Sequence, residues 1–258
     1  MSDIDELAAP KSIGGLNITS VVETAPMNFL VYGDPGVGKT MLAGSADEVP
    51  DMSPVLVVDV EGGTLSLRDT YPNVDVVRVH KAKELEKVHL ELAKGKTGYK
   101  TVILDSLTEL QKTMMVEVMD GVVKKDSDRD PEIPSIREWG KNIEQTRRIV
   151  RGFRDLPMHT VFTALAMYDK DDKRNRTRIL PSLSGKLASE VAGFVDIVAH
   201  YYVKVKNKES MRILLTEGTE DIVAKDRTNT LPRNVVNPTM GLMWQYFNHE
   251  VVETEEEE

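Results

Sequence analysis

Short apolar runs alternate along this chain with longer stretches in which apolar residues recur every three or four positions. The runs at residues 28–32, 55–59, 74–79, 100–105 and 159–165 have the length and the Val, Ile and Phe content of strands. Between them, residues 83–94 set Leu85, Val88, Leu92 and Ala93 at helical spacing. Residues 107–119 do the same with Met114, Met115, Val118 and Met119, which read as core. Residues 136–156 bring Trp139, Ile143, Thr146, Ile149, Val150 and Phe153 to one helix face, with Arg147, Arg148, Arg151 and Arg154 among the polar positions. A further helix follows the first run, to about Ala46. Strands alternating with helices predict an α/β fold with a mainly parallel, doubly wound sheet. Later the pattern changes: residues 196–206 and 211–216 alternate as an antiparallel pair, followed by 222–227, which predicts an antiparallel C-terminal extension. Residues 120–134 are polar and helix-breaking, a loop. Residues 1–25 mix Pro, Gly and Ser around Leu16 and Ile18, a loose arm with one edge strand.

Directly after the first run stands Gly33-Asp34-Pro35-Gly36-Val37-Gly38-Lys39-Thr40, a complete G-x-x-x-x-G-K-[ST] phosphate loop. Its glycines let the chain curl so that successive N–H groups point at phosphate oxygens, and the helix that follows favours anions at its start. A chance glycine turn would seldom have both the strand before it and the helix former Met41 after it. The expected nucleotide contacts are therefore Gly33, Asp34, Pro35, Gly36, Val37, Gly38, Lys39, Thr40 and Met41. ATP and Mg²⁺ are the expected cofactors, with Lys39 as the mobile cation and Thr40 as a metal ligand.

The carboxylates refine this expectation. Residues 101–105 end in Asp105, the form of a buried Walker B strand that delivers its acid beside Thr40 to hold Mg²⁺. Ring ATPases of the AAA+ type commonly place a Glu next in line, but here Ser106 follows. An acid stands instead just past the run 55–59, in Asp59-Val60-Glu61-Gly62-Gly63, on a strand expected to neighbour the phosphate-loop strand. That placement resembles RecA-like ATPases and makes Glu61 the candidate base that positions water for attack on the γ-phosphate. The bland alternative is a surface turn. Thr163, at the end of the run 159–165, is a candidate polar sensor of that phosphate.

Composition limits the remaining possibilities. A chain of 258 residues with 40% hydrophobic content supports one substantial core. There is no cysteine, so disulfides and thiolate metal sites are excluded, and the five His show no zinc-ligand spacing. No apolar stretch approaches membrane-spanning length, and the N-terminus is acidic where a signal peptide would be basic, so no membrane partner and a cytoplasmic location are expected. The net charge of −9 is terminal: nine acids lie at Asp3, Asp5, Glu6, Glu250, Glu253 and residues 255–258, and the rest holds 33 acids against 33 bases. Residues 249–258 read as an acidic disordered tail, or as a decoy for a basic groove. The expected organisation is an arm (1–25), one ATPase domain (26–248) and that tail.

A neutral core leaves room for a local basic surface. Between residues 170 and 186 six bases face two acids, with Lys170, Lys173, Arg174, Arg176 and Arg178 the candidates for gripping phosphates of single-stranded DNA and Tyr168 for stacking on a base. An ordinary charged hairpin tip is the competing reading. Lys225 and Arg227 form a K-x-R pair after a late strand. It resembles the element that RecA-like helicase and clock ATPases insert in trans into a neighbour's nucleotide site, where a cation neutralises charge on the γ-phosphate.

These motifs together, with Val161-Phe162-Thr163-Ala164 and the residues 224–232, resemble compact phage-encoded RecA-like ATPases of the single-strand-annealing and recombination type, over roughly residues 26–235. The resemblance implies a RecA-like P-loop NTPase fold and ATP hydrolysis stimulated by single-stranded DNA in phage recombination, annealing or replication. It also implies self-assembly into a ring or filament, with a single-strand-binding or recombination protein as a candidate partner in a bacterial host cell. A polar residue common after the sensor strand in such families is replaced here by Leu165-Ala166, and no Phe-x-x-Ala element is present. A nucleotide-dependent loader that does not hydrolyse efficiently and a helicase-type motor are the alternatives.

Overall fold

The structure, a computed structural model, describes residues 12–17, 26–171, 175–206 and 208–250. Near the N-terminus, β1 (Ser12–Ile13) and β2 (Leu16–Asn17) form a small antiparallel pair. The remaining strands are β3 (Asn28–Gly33), β4 (Val55–Asp59), β5 (Asp75–Arg78), β6 (Thr101–Asp105), β7 (His159–Asp171), β8 (Arg176–Pro181), β9 (Ile197–Lys206), β10 (Glu209–Leu215), β11 (Lys225–Asp226) and β12 (Asn234–Val236). Among the described residues they make one sheet in the order β12-β10-β9-β3-β7-β6-β4-β5, with β11 on β9 and β8 on β7. The six strands from β9 to β5 are mutually parallel, while β10, β11, β12 and β8 join antiparallel.

The helices are α1 (Lys39–Gly44), α2 (Ala82–Ala93), α3 (Leu107–Val123), α4 (Ile136–Arg154), α5 (Leu187–Phe194) and α6 (Met240–Phe247). Alternate residues of each central strand serve opposite faces. Leu30, Tyr32, Val58, Leu104 and Phe162 pack under α2, α3, α4 and α5, whereas Phe29, Val31, Val57, Ile103 and Val161 pack under α1 and α6. Because burying a Val, Leu or Phe side chain contributes about 1.5–3 kcal/mol, a sheet apolar on both faces needs both helical layers. Among the described residues, no helix is long and apolar enough to cross a membrane.

The sheet order overturns one expectation. β4 does not neighbour β3, because β7 and β6 lie between them. Apolar runs encode burial but not partnership, since a crossover helix can return the chain to any parallel position. The strand expected over 159–165 also runs on past residue 165. β7 continues to Asp171 and pairs with β8 from Ala166↔Pro181 to Asp171↔Arg176, so a hairpin projects beyond the sheet. Its backbone groups satisfy one another and leave alternate side chains to solvent, which lets a charged sequence form strand. Helix α3 runs past the expected Met119 to Val123. The helix-breaking loop then ends at Ser135, which caps α4 in a reciprocal box with Glu138. The arginines of α4 are partly engaged: Arg147 pairs with Glu144 and Glu190, Arg151 lies 4.7 Å over the Phe194 ring, and Arg154 pairs with Asp155.

Candidate nucleotide-binding site

The phosphate loop connects β3 to α1, and its geometry follows from its glycines. Gly36 and Gly38 hold φ of 77° and 105°, a region that costs other residues strain, and this curls the chain ahead of α1. Gly33 serves a different purpose: a Cβ there would lie 2.1 Å from the carbonyl oxygen of Tyr201 on β9. Asp34, Pro35 and Gly36 are exposed, while Lys39 is only 8% exposed. Its Nζ donates to the carbonyls of Gly33 (3.0 Å) and Asp34 (2.9 Å). Burial lowers the Lys39 pKa, and the charges of Glu61, Asp105 and Asp34 act against that shift. Arg212 on β10 closes the loop from the other side, its Nε donating to the Val37 carbonyl at 3.0 Å. No local motif marks Arg212, and strand alternation does not say that β10 lies two strands from the phosphate loop.

Asp105 ends β6 and is 3% exposed. Thr40 Oγ1 donates to its Oδ2 at 2.8 Å, and Thr163 Oγ1 donates to its Oδ1. The strand order explains this meeting, since β7 lies between β3 and β6 and carries Thr163 into the space between loop and carboxylate. The turn bearing Glu61 is fastened to the same strand. Asp59 stands opposite Asp105 in register, and the Val60 N–H donates to the Asp105 carbonyl at 2.8 Å. The buried Asp59 carboxylate accepts from the Gly62 N–H (2.6 Å) and the Thr64 hydroxyl (3.2 Å), with Arg78 3.6 Å away. Glu61 itself is exposed on this turn, and the largest charge effect on Lys39 is its own.

The donor set suits a hard cation that keeps its water. Among the described residues no group of three His, Cys, Asp or Glu could hold a metal by itself. Thr40 and Asp105 offer one hydroxyl and one carboxylate, the pattern of an ion that is otherwise coordinated by phosphates and water. Thr40 and Asp105 would hold Mg²⁺, and the exposed N–H groups of the loop with Lys39 would hold the phosphates. Met41 follows Thr40 in the first turn of α1.

The structure separates the other candidates. Lys170, Arg176 and Arg178 lie on the β7–β8 hairpin, Lys170 exposed and the two arginines half-buried; Arg176 pairs with Glu220 (3.0 Å) and Asp221 (3.8 Å). Lys173 and Arg174 lie outside the described residues, as do residues 251–258 of the acidic tail and residues 1–11 and 18–25 of the arm. Tyr168 is exposed at the base of the hairpin, with its hydroxyl on Asp34. Lys225 and Arg227 stand at the opposite end of the sheet from the phosphate loop, since Lys225 pairs with Val198, near the start of β9. Lys225 Nζ donates to the carbonyls of Ala192 and Val195, and Arg227 binds Asp196 (2.9 Å) and the Gly193 carbonyl (3.2 Å). Both therefore cap the end of α5 within the chain.

Sequence reasoning missed His200. It is buried beside Asp34, stacked on Tyr202 at 5.4 Å and near Tyr32 at 5.1 Å, with no hydrogen-bond partner on Nδ1; burial lowers its pKa. With Tyr168, Ile179 and Ile222 it lines a cleft of about 620 Å³ whose other wall is the phosphate loop from Asp34 to Val37. The alternating strand around it carries no motif that marks a site.

Solved structures of similar shape include the flagellar accessory protein FlaH from Methanocaldococcus jannaschii, at 12% identity and a TM-score of 0.45, covering 82% of this chain and 85% of that one. A KaiC-like protein from Pyrococcus horikoshii OT3 matches at 17% identity and a TM-score of 0.42, over 82% and 89%. No curated protein matches. The model of the AAA domain family matches residues 25–228. That name runs against the expectation drawn from Ser106. The match sets the family, and the mainly parallel sheet with its phosphate loop fits the α/β fold of a P-loop NTPase. With its phosphate loop, Thr40–Asp105 pair and parallel core all inside the matched span, the chain belongs to the AAA domain family of P-loop ATPases.

Proposed function

We propose that this protein binds ATP with Mg²⁺, hydrolyses it using Glu61, and couples that cycle to single-stranded DNA in recombination, annealing or replication. One observation carries the reading: a single strand, β7, supplies Thr163 to the Asp105 carboxylate and continues into the basic hairpin with Lys170. In the reaction, Lys39 leaves the Gly33 and Asp34 carbonyls for the phosphates. Glu61, on its clamped turn, accepts a proton from the attacking water, while Asp105 is oriented by Thr40 and Thr163. Bound Mg²⁺ supplies charge neutralisation on the β- and γ-phosphates. Lys170 and Arg178 contact strand phosphates without reading sequence. Assembly into a ring or filament would bring Lys225 and Arg227 of one subunit toward the nucleotide of the next, once they leave the end of α5.

The deciding experiment measures phosphate release by the full chain with and without oligothymidylate. Stimulation supports the reading, whereas ATP binding without turnover leaves a nucleotide-dependent interaction module. Replacing Lys170 and Arg178 with Ala should reduce the slope of log affinity against log salt by about 1.4, at roughly 0.7 per single-strand phosphate contact. An unchanged slope would return the hairpin to a merely solvated surface.

A further inference from the structure

Beyond Leu165, where its pairing with β3 ends, β7 leaves the main sheet and keeps only β8 as a ladder partner. Tyr168 is where the departing strand touches the phosphate loop again. Its hydroxyl lies 2.9 Å from both carboxylate oxygens of Asp34, a charge-assisted contact across 134 residues of sequence. The carbonyl of the same Asp34 holds Lys39 Nζ at 2.9 Å. One loop residue thus faces the phosphate-binding lysine with its backbone and the hairpin with its side chain. Leu165 and Ala166 offer no polar side chain for such a link; the Leu165 N–H is taken by Thr108 at 3.0 Å. On its far side the hairpin is anchored independently: the Ile179 N–H donates to the Asp221 carbonyl at 2.6 Å, and the Val223 N–H to the Ile179 carbonyl at 3.0 Å.

We infer that the Asp34–Tyr168 hydrogen bond couples nucleotide occupancy to the position of the β7–β8 hairpin, with Tyr168 as a positioning residue. This rests on the proposed reading of the loop as the nucleotide site. A triphosphate entering the loop brings negative charge beside the Asp34 carboxylate and draws Lys39 Nζ off the Asp34 carbonyl. Both changes act on the residue that holds Tyr168. The hairpin responds by turning about its edge on residues 219–223, and the strand past Leu165 has no β3 ladder to resist. Linkage makes the effect reciprocal: whatever binds the hairpin changes nucleotide affinity by the factor with which nucleotide changes its own.

The test is Tyr168→Phe, which keeps the ring and deletes the hydroxyl, with Tyr168→Leu as the second variant should the first not fold. Hydrogen exchange of the amides of residues 167–171 and 176–180 is followed with and without a non-hydrolysable ATP analogue and Mg²⁺. Nucleotide affinity is measured on the same samples. In the parent, nucleotide should change exchange in these amides by about threefold or more; in Tyr168→Phe the change should vanish while nucleotide still binds. Unchanged exchange in the parent, or the same response in both proteins, overturns the coupling. A parent that binds no nucleotide sinks the site reading and the coupling together. Oligothymidylate separates the remaining cases. If it fails to bind while the exchange result holds, the DNA reading falls and the coupling stands. If it binds and shifts nucleotide affinity equally in both proteins, the coupling falls and the DNA reading stands.

Discussion

The backbone N–H of Val60 donates to the carbonyl of Asp105 at 2.8 Å, so the residue preceding Glu61 is fastened to the strand that carries the metal-site carboxylate. That one hydrogen bond ties the turn of Glu61 to Asp105, the proposed Mg²⁺ ligand, although 44 positions separate the two acids.

That attachment makes the role of Glu61 separable from binding. Glu61→Gln should keep ATP affinity within a few-fold and slow turnover by at least about a hundredfold, the size of a lost general base. Lys39→Ala should abolish nucleotide binding itself. Fluorescent-nucleotide titration with phosphate release checks both, and parental turnover in Glu61→Gln removes Glu61 from the chemistry.

Thr163 donates to a carboxylate that is almost wholly buried, and Val has nearly its shape. Thr163→Val should slow hydrolysis by about tenfold to a hundredfold, as expected for a lost hydrogen bond to a charged group worth roughly 1.5–3 kcal/mol. The loss should appear as a raised Mg²⁺ requirement for turnover, with nucleotide affinity in the absence of metal unaltered. A Mg²⁺ titration of the rate decides it.

Lys225 and Arg227 make different predictions although they stand two residues apart. Lys225 satisfies two carbonyls at the end of α5, so Lys225→Met should lower stability by about 1–3 kcal/mol, seen as a melting temperature several degrees lower. Arg227 is exposed and its removal should hardly change melting. If Arg227 acts in trans, Arg227→Ala should abolish the rise of specific ATPase activity with protein concentration. A parent whose specific activity is flat with concentration would exclude a trans role.

Glu138 makes one contribution to stability that acid removes. The side chain and N–H of Ser135, then Arg129, hold its carboxyl down to about 2. Because the folded pKa lies below the unfolded one, near 4.3, its ionised form stabilises the protein at neutral pH. That contribution should fade as pH drops from about 4.5 toward 2. Urea melts across this range should show a shallower acid loss in Glu138→Gln, which starts from lower stability at pH 7.

Much of this was legible in single residues and little in pairs. The runs containing Phe29, Val57, Ile103 and Phe162 read as buried strands because each is short and centred on Val, Ile, Leu or Phe, and the phosphate loop read directly from its glycines and Lys39. Pairing was another matter. That β7 intervenes between β3 and β6 could not be seen, since periodicity records which face is buried but not what lies beside it. Helix α5 was missed because Leu187, Ala188 and Val191 sit in a short stretch entered through Ser184 and Gly185 without a capping side chain. Helix α6 and β12 were missed for a similar reason, being only eight and three residues long. The contact of Tyr168 with Asp34 joins two loci whose sequences carry no mark of each other.

Gly33 invites a reading of the phosphate loop as a historical record. Its missing side chain is required by the carbonyl of Tyr201 in the next strand, a demand that persists whether or not nucleotide is ever bound. A descendant that had abandoned ATP would be free to exchange Lys39, Thr40 and Glu61 but would still have to keep that glycine to hold its sheet. Among relatives of this chain, the first letter of the motif would then testify to ancestry and the seventh to present use.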